Sequence, residues 1–363
     1  MHQGIEIRSS TVKDIVQVPE LVGKKRLLMN NLPKETRLYA FPPHALEPIP
    51  EEKAFARKGR DKLPLEISRP PHVVIDVSRR FAVYSDEFIA VPPRQIGIAG
   101  TPEKQNLLKT LALYVMSDFA HYYEFFLAAQ IGVQKSISNL GTLKALPTPD
   151  FSEKNLKILA QIYEQIVATE GSSANFVDIV RFQSRREELE KQANELIYET
   201  LGLSVEERLL VRDLIYERRK MLRGKVSQEL IKAPSKAEIR AYIEVLKGQL
   251  DDFIGVEDRQ QHALSVIYQS PSAMLEIRIV DASAVDTLQV RRADKTLARE
   301  FTELKNRLTR QYSQWLYFER SLTVFDGDRT YLFKPLERLS WLPSQALNDA
   351  TDLIAQTLCA EPI

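Results

Sequence analysis

Apolar positions repeat at helical spacing most clearly after Thr101, where Leu107, Leu108, Leu111, Tyr114, Val115, Phe119 and Tyr122 form one stripe. Thr101 offers an N-cap and Pro102 a first helical residue whose missing N–H costs nothing, so a helix is expected to begin there. It is expected to close near Gln130 and Gly132, because glycine readily takes the left-handed conformation that ends a helix. A loop rich in amides and hydroxyls follows, and Leu143 to Leu146 then run into Pro147 and Pro149, which stop further helix and stiffen the exit. Upstream the pattern is that of strands. Pro70 to Val77 reads as a buried strand, Arg79 to Tyr84 as its partner and Phe88 to Val91 as a third. Leu27 to Asn31 and Arg37 to Phe41 read as short extended pieces, while the residues up to Glu20 fit a strand or a short helix equally well.

Beyond Pro149 the helical period returns. Ser152 is an N-cap candidate for a helix through Leu156, Leu159, Ile162 and Ile166, interrupted at Gly171-Ser172-Ser173. A longer helix is expected from about Phe176 to Leu201, closed by Gly202, and Ser204 with Glu207 forms a capping box that opens the next, through Leu210, Leu214 and Met221. Ser235 and Glu238 repeat that signal before Ile239, Tyr242, Leu246, Leu250 and Phe253. From His262 the pattern alternates, so Ala263–Gln269 and Met274–Val280 predict a hairpin turning at Ser270-Pro271-Ser272. A helix is expected from about Lys295 to Gln311, then a second hairpin around Asp326-Gly327-Asp328, then a last helix from Ser344, with Trp315 and Trp341 packing this small unit. The reading is α+β in three parts: 1–150 with mixed strands, 151–258 helical, and 259–363 a small α+β unit.

Composition narrows the function. A net charge of +1 over 363 residues is no polycation, so any contact with nucleic acid must come from local Lys and Arg. The stretch from Glu51 to Lys62, with Lys53, Arg57, Lys58, Arg60 and Lys62, is either a solvated loop or a mobile basic loop that meets phosphates. The lone Cys359 excludes an internal disulfide framework and a cysteine zinc cluster, which fits a reducing cytoplasm. Without a long apolar run or a leader in Met1 to Thr11, neither membrane insertion nor secretion is expected.

Methyl transfer from S-adenosylmethionine needs a glycine-rich turn and an Asp/Asn-Pro-Pro-aromatic loop, but no Gly-x-Gly occurs here and the three Pro-Pro pairs are preceded by Phe41, Arg69 and Val91. Glu303-Leu304-Lys305 has Glu-x-Lys spacing without an upstream Pro-Asp, and reads as a solvated helix face rather than a nuclease site. The five histidines are scattered without ligand spacing, and His72 and His121 sit beside apolar residues as core or edge histidines. No catalytic residue, cofactor site or metal site is assigned.

The run Gly132-Val133-Gln134-Lys135-Ser136-Ile137, leading to Leu143-Lys144-Ala145-Leu146-Pro147-Thr148-Pro149 and preceded by Leu111-Ala112-Leu113-Tyr114-Val115-Met116-Ser117, resembles the closing segment of DNA target-recognition domains. Such domains occur in specificity subunits of type I restriction–modification systems and at the C-terminus of fused N6-adenine DNA methyltransferases. Met116 stands where that pattern has asparagine. Pro71-His72, Ala82-Val83-Tyr84 and Gly97-Ile98-Ala99-Gly100 extend the likeness back to about residue 40, and Ala193 to Glu207 resembles the helical hairpin that follows such domains. The tail from Trp315 to Leu358 also looks like the end of some defence-system adenine methyltransferases.

The resemblance implies a sequence-specificity module of a restriction–modification or anti-phage defence system. Its partners would be double-stranded DNA, a methyltransferase catalytic subunit that carries S-adenosylmethionine, and other defence-system subunits. Base edges are read by guanidinium and amide groups, since Arg donates twice to guanine and Gln or Asn both donates to and accepts from adenine. The candidates are therefore Gln134, Lys135, Ser138 and Asn139 on the loop, Lys144 at its exit, and Arg79, Arg80 and Arg94 at strand ends. Gln134 and Asn139 have a plainer alternative, tying off the loop backbone. Tyr122, Tyr123, Phe125 and Phe126 are either a stacking platform or core. The rival expectation is a helical scaffold of a defence complex that binds protein partners instead of DNA.

Overall fold

The computed structural model describes residues 2–3, 7–8, 15–33, 37–57, 65–92, 95–127, 140–170, 176–219, 228–255, 259–293, 299 and 321–359. The chain is an α+β protein that divides into two compact units, Met1–Ser204 and Val205–Ile363. The expected helical middle region is thus shared out. Its first two helices belong to the first unit and the remainder to the second.

In the first unit, β1 (His2–Gln3), β10 (Ile96–Ala99), β7 (His72–Ile75) and β8 (Ala82–Ser85) form an antiparallel sheet in that order. All four residues of β7 are buried, as expected of a strand covered on both faces. Against Val74 and Val83 on one face pack Leu27, Leu38, Ile67, Phe81, Ile89 and Val91. These include residues of a small sheet of β5 (Leu46–Pro48), β4 (Lys25–Leu27) and β9 (Ile89–Ala90). A further small sheet joins β2 (Ile7–Arg8), β6 (Phe55–Arg57) and β3 (Ile15–Gln17), so the N-terminal region takes the strand alternative. Gly97 meets a steric requirement: a Cβ there would lie 2.9 Å from the Ile67 side chain and 3.0 Å from its carbonyl.

The expected helix from Thr101 is broken in two. A 3-10 turn at Pro102–Lys104 leads into α1 (Gln105–Met116), and α2 spans Asp118–Leu127. The break is at Ser117, whose backbone is extended (φ −68°, ψ 158°). Its hydroxyl donates to the Tyr114 carbonyl at 2.6 Å and accepts the Ala120 N–H at 3.2 Å, so it ends one helix and caps the next. After the short α3 (Leu140–Lys144), α4 (Glu153–Glu170) and α5 (Phe176–Leu201) complete the unit. Ser152 caps α4 through the Asn155 N–H at 3.2 Å. Gly202 closes α5 at φ +69°, with Gly202 donating to Glu199 and Leu203 to Tyr198, the paired bonds of a Schellman end.

The second unit holds α6 (Val205–Asp213), which runs into a π-helical turn at Leu214–Arg218, then α7 (Gln228–Ile231) and α8 (Lys236–Ile254). The Ser235–Glu238 capping box at the start of α8 is present with both reciprocal bonds. Five strands follow, β11 (Gln260–Gln269), β12 (Ser272–Asp281), β13 (Leu288–Arg292), β14 (Leu322–Asp326) and β15 (Arg329–Pro335). They form one sheet in the order β13-β11-β12-β15-β14, with only the β11–β13 pair parallel. Both expected hairpins are there, and Gly327 takes the positive φ (+61°) that its turn needs. The last helix, α9, spans Pro343–Cys359. Apart from Arg299, which is helical, the helix expected over 295–311 lies outside the described residues, as does Trp315.

Alternation in the strands sorts the core of this unit. Leu264, Val266, Leu275, Val290 and Leu332 face α8 and α9, whereas Ile267, Met274, Val324, Tyr331 and Phe333 gather on the opposite face. Lys334 breaks the pattern, since it occupies a helix-side position of β15 between Leu332 and Leu336 with 3% of its surface exposed. Its ammonium donates to the Asp349 carboxylate and, at 3.1 Å, to the Tyr242 hydroxyl, and lies 4.2 Å from the Tyr242 ring centroid and 5.2 Å from that of Trp341. Tyr242 also donates to Asp349 at 2.5 Å, and Gln345 donates to the other carboxylate oxygen at 3.0 Å. Burial pulls the Lys334 ammonium down to about 8, with Asp349 opposing the shift.

Lys334→Met should cost about 3–5 kcal/mol in chemical denaturation, because it leaves the Asp349 charge buried without its cation. Lys334→Met with Asp349→Asn should recover most of that loss, as no charge remains and Tyr242 keeps an acceptor. The folded chain holds the Lys334 proton less tightly than the unfolded chain. This group's contribution to stability therefore rises with pH from about 8 toward the ordinary lysine value. That rise should be missing from the double variant.

Candidate nucleic-acid interface

Half of the candidate reading residues, Gln134, Lys135, Ser138 and Asn139, fall in the segment 128–139 that connects α2 to α3 and lies outside the described residues. Its two feet are built from strong constraints. At the first, Glu124 on α2, 2% exposed, receives the guanidinium of Arg79 from the β7–β8 turn. Arg79 is itself 5% exposed and holds φ +57°, a left-handed conformation that a side-chain-bearing residue adopts only under constraint. The start of α2 is tied elsewhere, where the Asp118 N–H donates to Asn194 Oδ1 of α5 at 3.0 Å. Phe119 is buried, but Phe126 and Leu127 at the far end of α2 are 66% and 46% exposed. The aromatic patch thus divides between core and surface, its outer end formed by edge-on pairs of Phe126 with Tyr122 and Phe125.

At the second foot Leu143 and Leu146 are buried, and the Tyr114 hydroxyl of α1 donates to the Pro147 carbonyl. Desolvation raises the Tyr114 phenol well above its ordinary value, so it remains a donor at any physiological pH. Phe151 packs edge-on against the Tyr114 ring, with centroids 6.3 Å apart.

Helices α4 and α5 brace the same body. The Tyr163 hydroxyl donates to the Tyr39 carbonyl at 2.5 Å and accepts the Tyr84 N–H at 2.8 Å, linking α4 to β8. The Glu170 carboxylate accepts the N–H groups of Tyr39 and Ala40 at 3.1 and 2.8 Å and pairs with Arg186 of α5 at 3.2 Å. Burial raises the Glu170 carboxyl, while Arg186 and the two N–H donors counter it.

The candidate reading residues therefore separate. Lys144 is exposed on α3. Arg80 is partly exposed, with its Nε 2.9 Å from Asp76 and its N–H on the same carboxylate oxygen at 3.1 Å, so its guanidinium is oriented by a buried acid. Arg79 is a correction: it is not at the surface, because its charge has been taken up inside the fold by Glu124. Arg94, Gln134, Lys135, Ser138 and Asn139 lie outside the described residues, as does the part of the basic stretch from Lys58 onward. His72 and His121 are both buried, and the His72 ring nitrogens lie 2.9 and 3.2 Å from the carbonyls of Ile67 and Glu87. Among the described residues, no group of three or more His, Cys, Asp or Glu could hold a metal ion, and no helix is long and apolar enough to cross a membrane.

Asn194, Glu170 and Tyr163 position this region yet were not among the candidates. Asn194 had a signal, since it lies within the stretch from Ala193 to Glu207 that carries the likeness to methyltransferase hairpins. Glu170 had none, because a carboxylate at a helix end reads as solvated until the chain that covers it is known. Compared with known protein families, with characterised proteins and with solved structures, the chain finds no match.

If Arg79 anchors α2 and does not touch DNA, Arg79→Ala should destabilise the fold by about 3–5 kcal/mol in urea titration, as expected for removing one partner of a buried pair. Arg79→Gly with Glu124→Gln should be closer to the parent, since it removes both charges and the left-handed strain together. Unchanged stability in Arg79→Ala with weakened DNA binding would return Arg79 to the surface.

Proposed function

We propose that the chain is the DNA sequence-recognition module of an N6-adenine DNA methyltransferase from a bacterial or archaeal restriction–modification or anti-phage defence system. It acts in the cytoplasm and reads duplex DNA through its first unit. Methyl transfer belongs to a catalytic subunit or domain that binds S-adenosylmethionine. The observation that carries this reading is the way segment 128–139 is mounted. A stretch with the side chains that base edges demand connects α2 to α3, and the described residues on either side are held by the Asp118–Asn194, Arg79–Glu124 and Tyr114–Pro147 contacts. A rigid scaffold that presents a polar loop lowers the ordering cost of recognition. In support stand the ordered likeness of that segment to target-recognition domains and the cations near it, Lys135 within the segment and Lys144 at its exit.

The division of labour follows from the chemistry of the side chains. Lys135, Lys144 and Arg94 would meet phosphates and set a salt-dependent affinity, while Gln134, Ser138 and Asn139 would select base edges. Arg80, steered by Asp76, is the described guanidinium with a defined direction near the sheet edge.

The test is to incubate the intact chain, alone and with its methyltransferase partner, with random-sequence duplexes under a salt titration and to sequence what is retained. A common motif that also directs methylation is expected. Lys144→Ala should weaken binding to all sequences and lower the salt slope by about 1, whereas Gln134→Ala or Asn139→Ala should relax the motif at one position. Salt-sensitive retention without a motif, or none even with the partner, would favour an assembly scaffold instead.

A further inference from the structure

We propose that the groove between β14 and α9 in the second unit docks an extended basic segment of a protein partner, which adds a strand to β14 and places one arginine or lysine side chain in the groove. The proposal stands apart from DNA reading by the first unit and uses none of its residues.

Three features converge there. First, β14 is the edge of the five-stranded sheet, and among the described residues its ladder bonds run only to β15. An edge strand presents a row of backbone donors and acceptors that an extended segment can complete. Second, a pocket of about 570 Å³ opens beside that edge, between β14 and α9. Leu332 and Leu353 supply apolar wall for an aliphatic stem, and Thr323, Asp349, Asp352 and Gln356 supply the polar remainder. Third, Phe325 is 49% exposed and shares the helix-side face of β14 with Thr323, because Leu322 and Val324 pack on the other face. An aromatic face next to an acidic pocket is the surrounding that a guanidinium or ammonium prefers.

Charge selects the occupant. Every charged residue among the described lining is a carboxylate; Lys334, behind the wall, is turned inward and offsets the charge of Asp349, so Asp352 is the lining carboxylate left to meet an incoming cation. Asp352 stands at the exposed rim, and Asp328 at the tip of the β14–β15 hairpin, 90% exposed, is 3.9 Å from the Arg329 guanidinium. Phosphate would meet like charge in this pocket, so the groove disfavours the nucleic-acid backbone and favours a basic peptide.

The test titrates the intact chain with fluorescent peptides of alternating valine and threonine bearing one central arginine. Companion peptides carry citrulline, glutamate or an inserted proline in its place. The arginine peptide should bind and raise amide-exchange protection across 322–326. Citrulline should weaken it by about tenfold, and proline or glutamate should abolish binding. Asp352→Asn with Gln356→Lys, two exposed positions, should weaken the arginine peptide by about tenfold with no change in thermal midpoint. Failure of the arginine peptide to bind, equal binding of the glutamate peptide, or undiminished binding to the variant would overturn the proposal. So would displacement of the peptide by a short DNA duplex, which would assign the groove to nucleic acid. Loss of DNA motif recovery in the first unit leaves these outcomes unaffected.

Discussion

A guanidinium that has been removed from water and given one carboxylate governs the first unit. Arg79 and Glu124 are both almost fully buried, and each ion would carry a desolvation cost of several kcal/mol without the other. Their pairing joins a tight turn to a helix. The backbone at Arg79 is left-handed within the β7–β8 turn, and the pair locks α2 to that turn. The second unit repeats the device with Lys334 and Asp349, where a sheet position that should be apolar instead pins the last helix through a lysine and a tyrosine. Such pairs define which face of a helix meets which strand more sharply than apolar contact does, since apolar contact tolerates sliding and an unpaired buried charge does not.

This rigidity bears on function through what it leaves outside. In the first unit the braced elements end where the polar segment begins, so the apolar surface at Phe126 and Leu127 and the exposed Lys144 flank its two feet. The brace extends to α4 and α5 through Tyr163, Glu170 and Asn194, which makes these two helices part of the first unit and not a spacer after it. A rigid body of this kind lets residues at its surface change without disturbing the core, and lowers the ordering cost of whatever the surface binds.

Much of the architecture was legible from the order of residues, because local rules decide it. The capping box at Ser235 and Glu238, the close of α5 at Gly202, the Asp-Gly hairpin and the alternation of β11 and β12 each depend on a few neighbouring residues whose preferences agree. The candidate site was legible only in part. The amides and hydroxyls of the segment 128–139 and the prolines after it follow from composition, but the fate of individual charged side chains does not. Arg79 and Arg80 are neighbours of the same type, and only the chain folded over them, with Glu124 forty-five residues away in sequence, sends one inward and leaves the other at the surface.

The sequence by itself determined the type and rough position of most helices and strands, the α+β character, the lack of a recognisable methyl-transfer motif and the side-chain chemistry of the segment 128–139. These rest on propensities, periods and side-chain inventories that act over a few residues. Tertiary structure alone decided that Ser117 splits a helix that periodicity would continue, that α4 and α5 join the first unit, that Arg79 is internal and that Lys334 sits in a core. In each case the deciding partner is Asn194, Tyr39, Glu124 or Asp349, on another element. A charge or hydroxyl has no fixed place until its counterpart arrives, because its free energy depends on the solvent and partners that folding assigns to it.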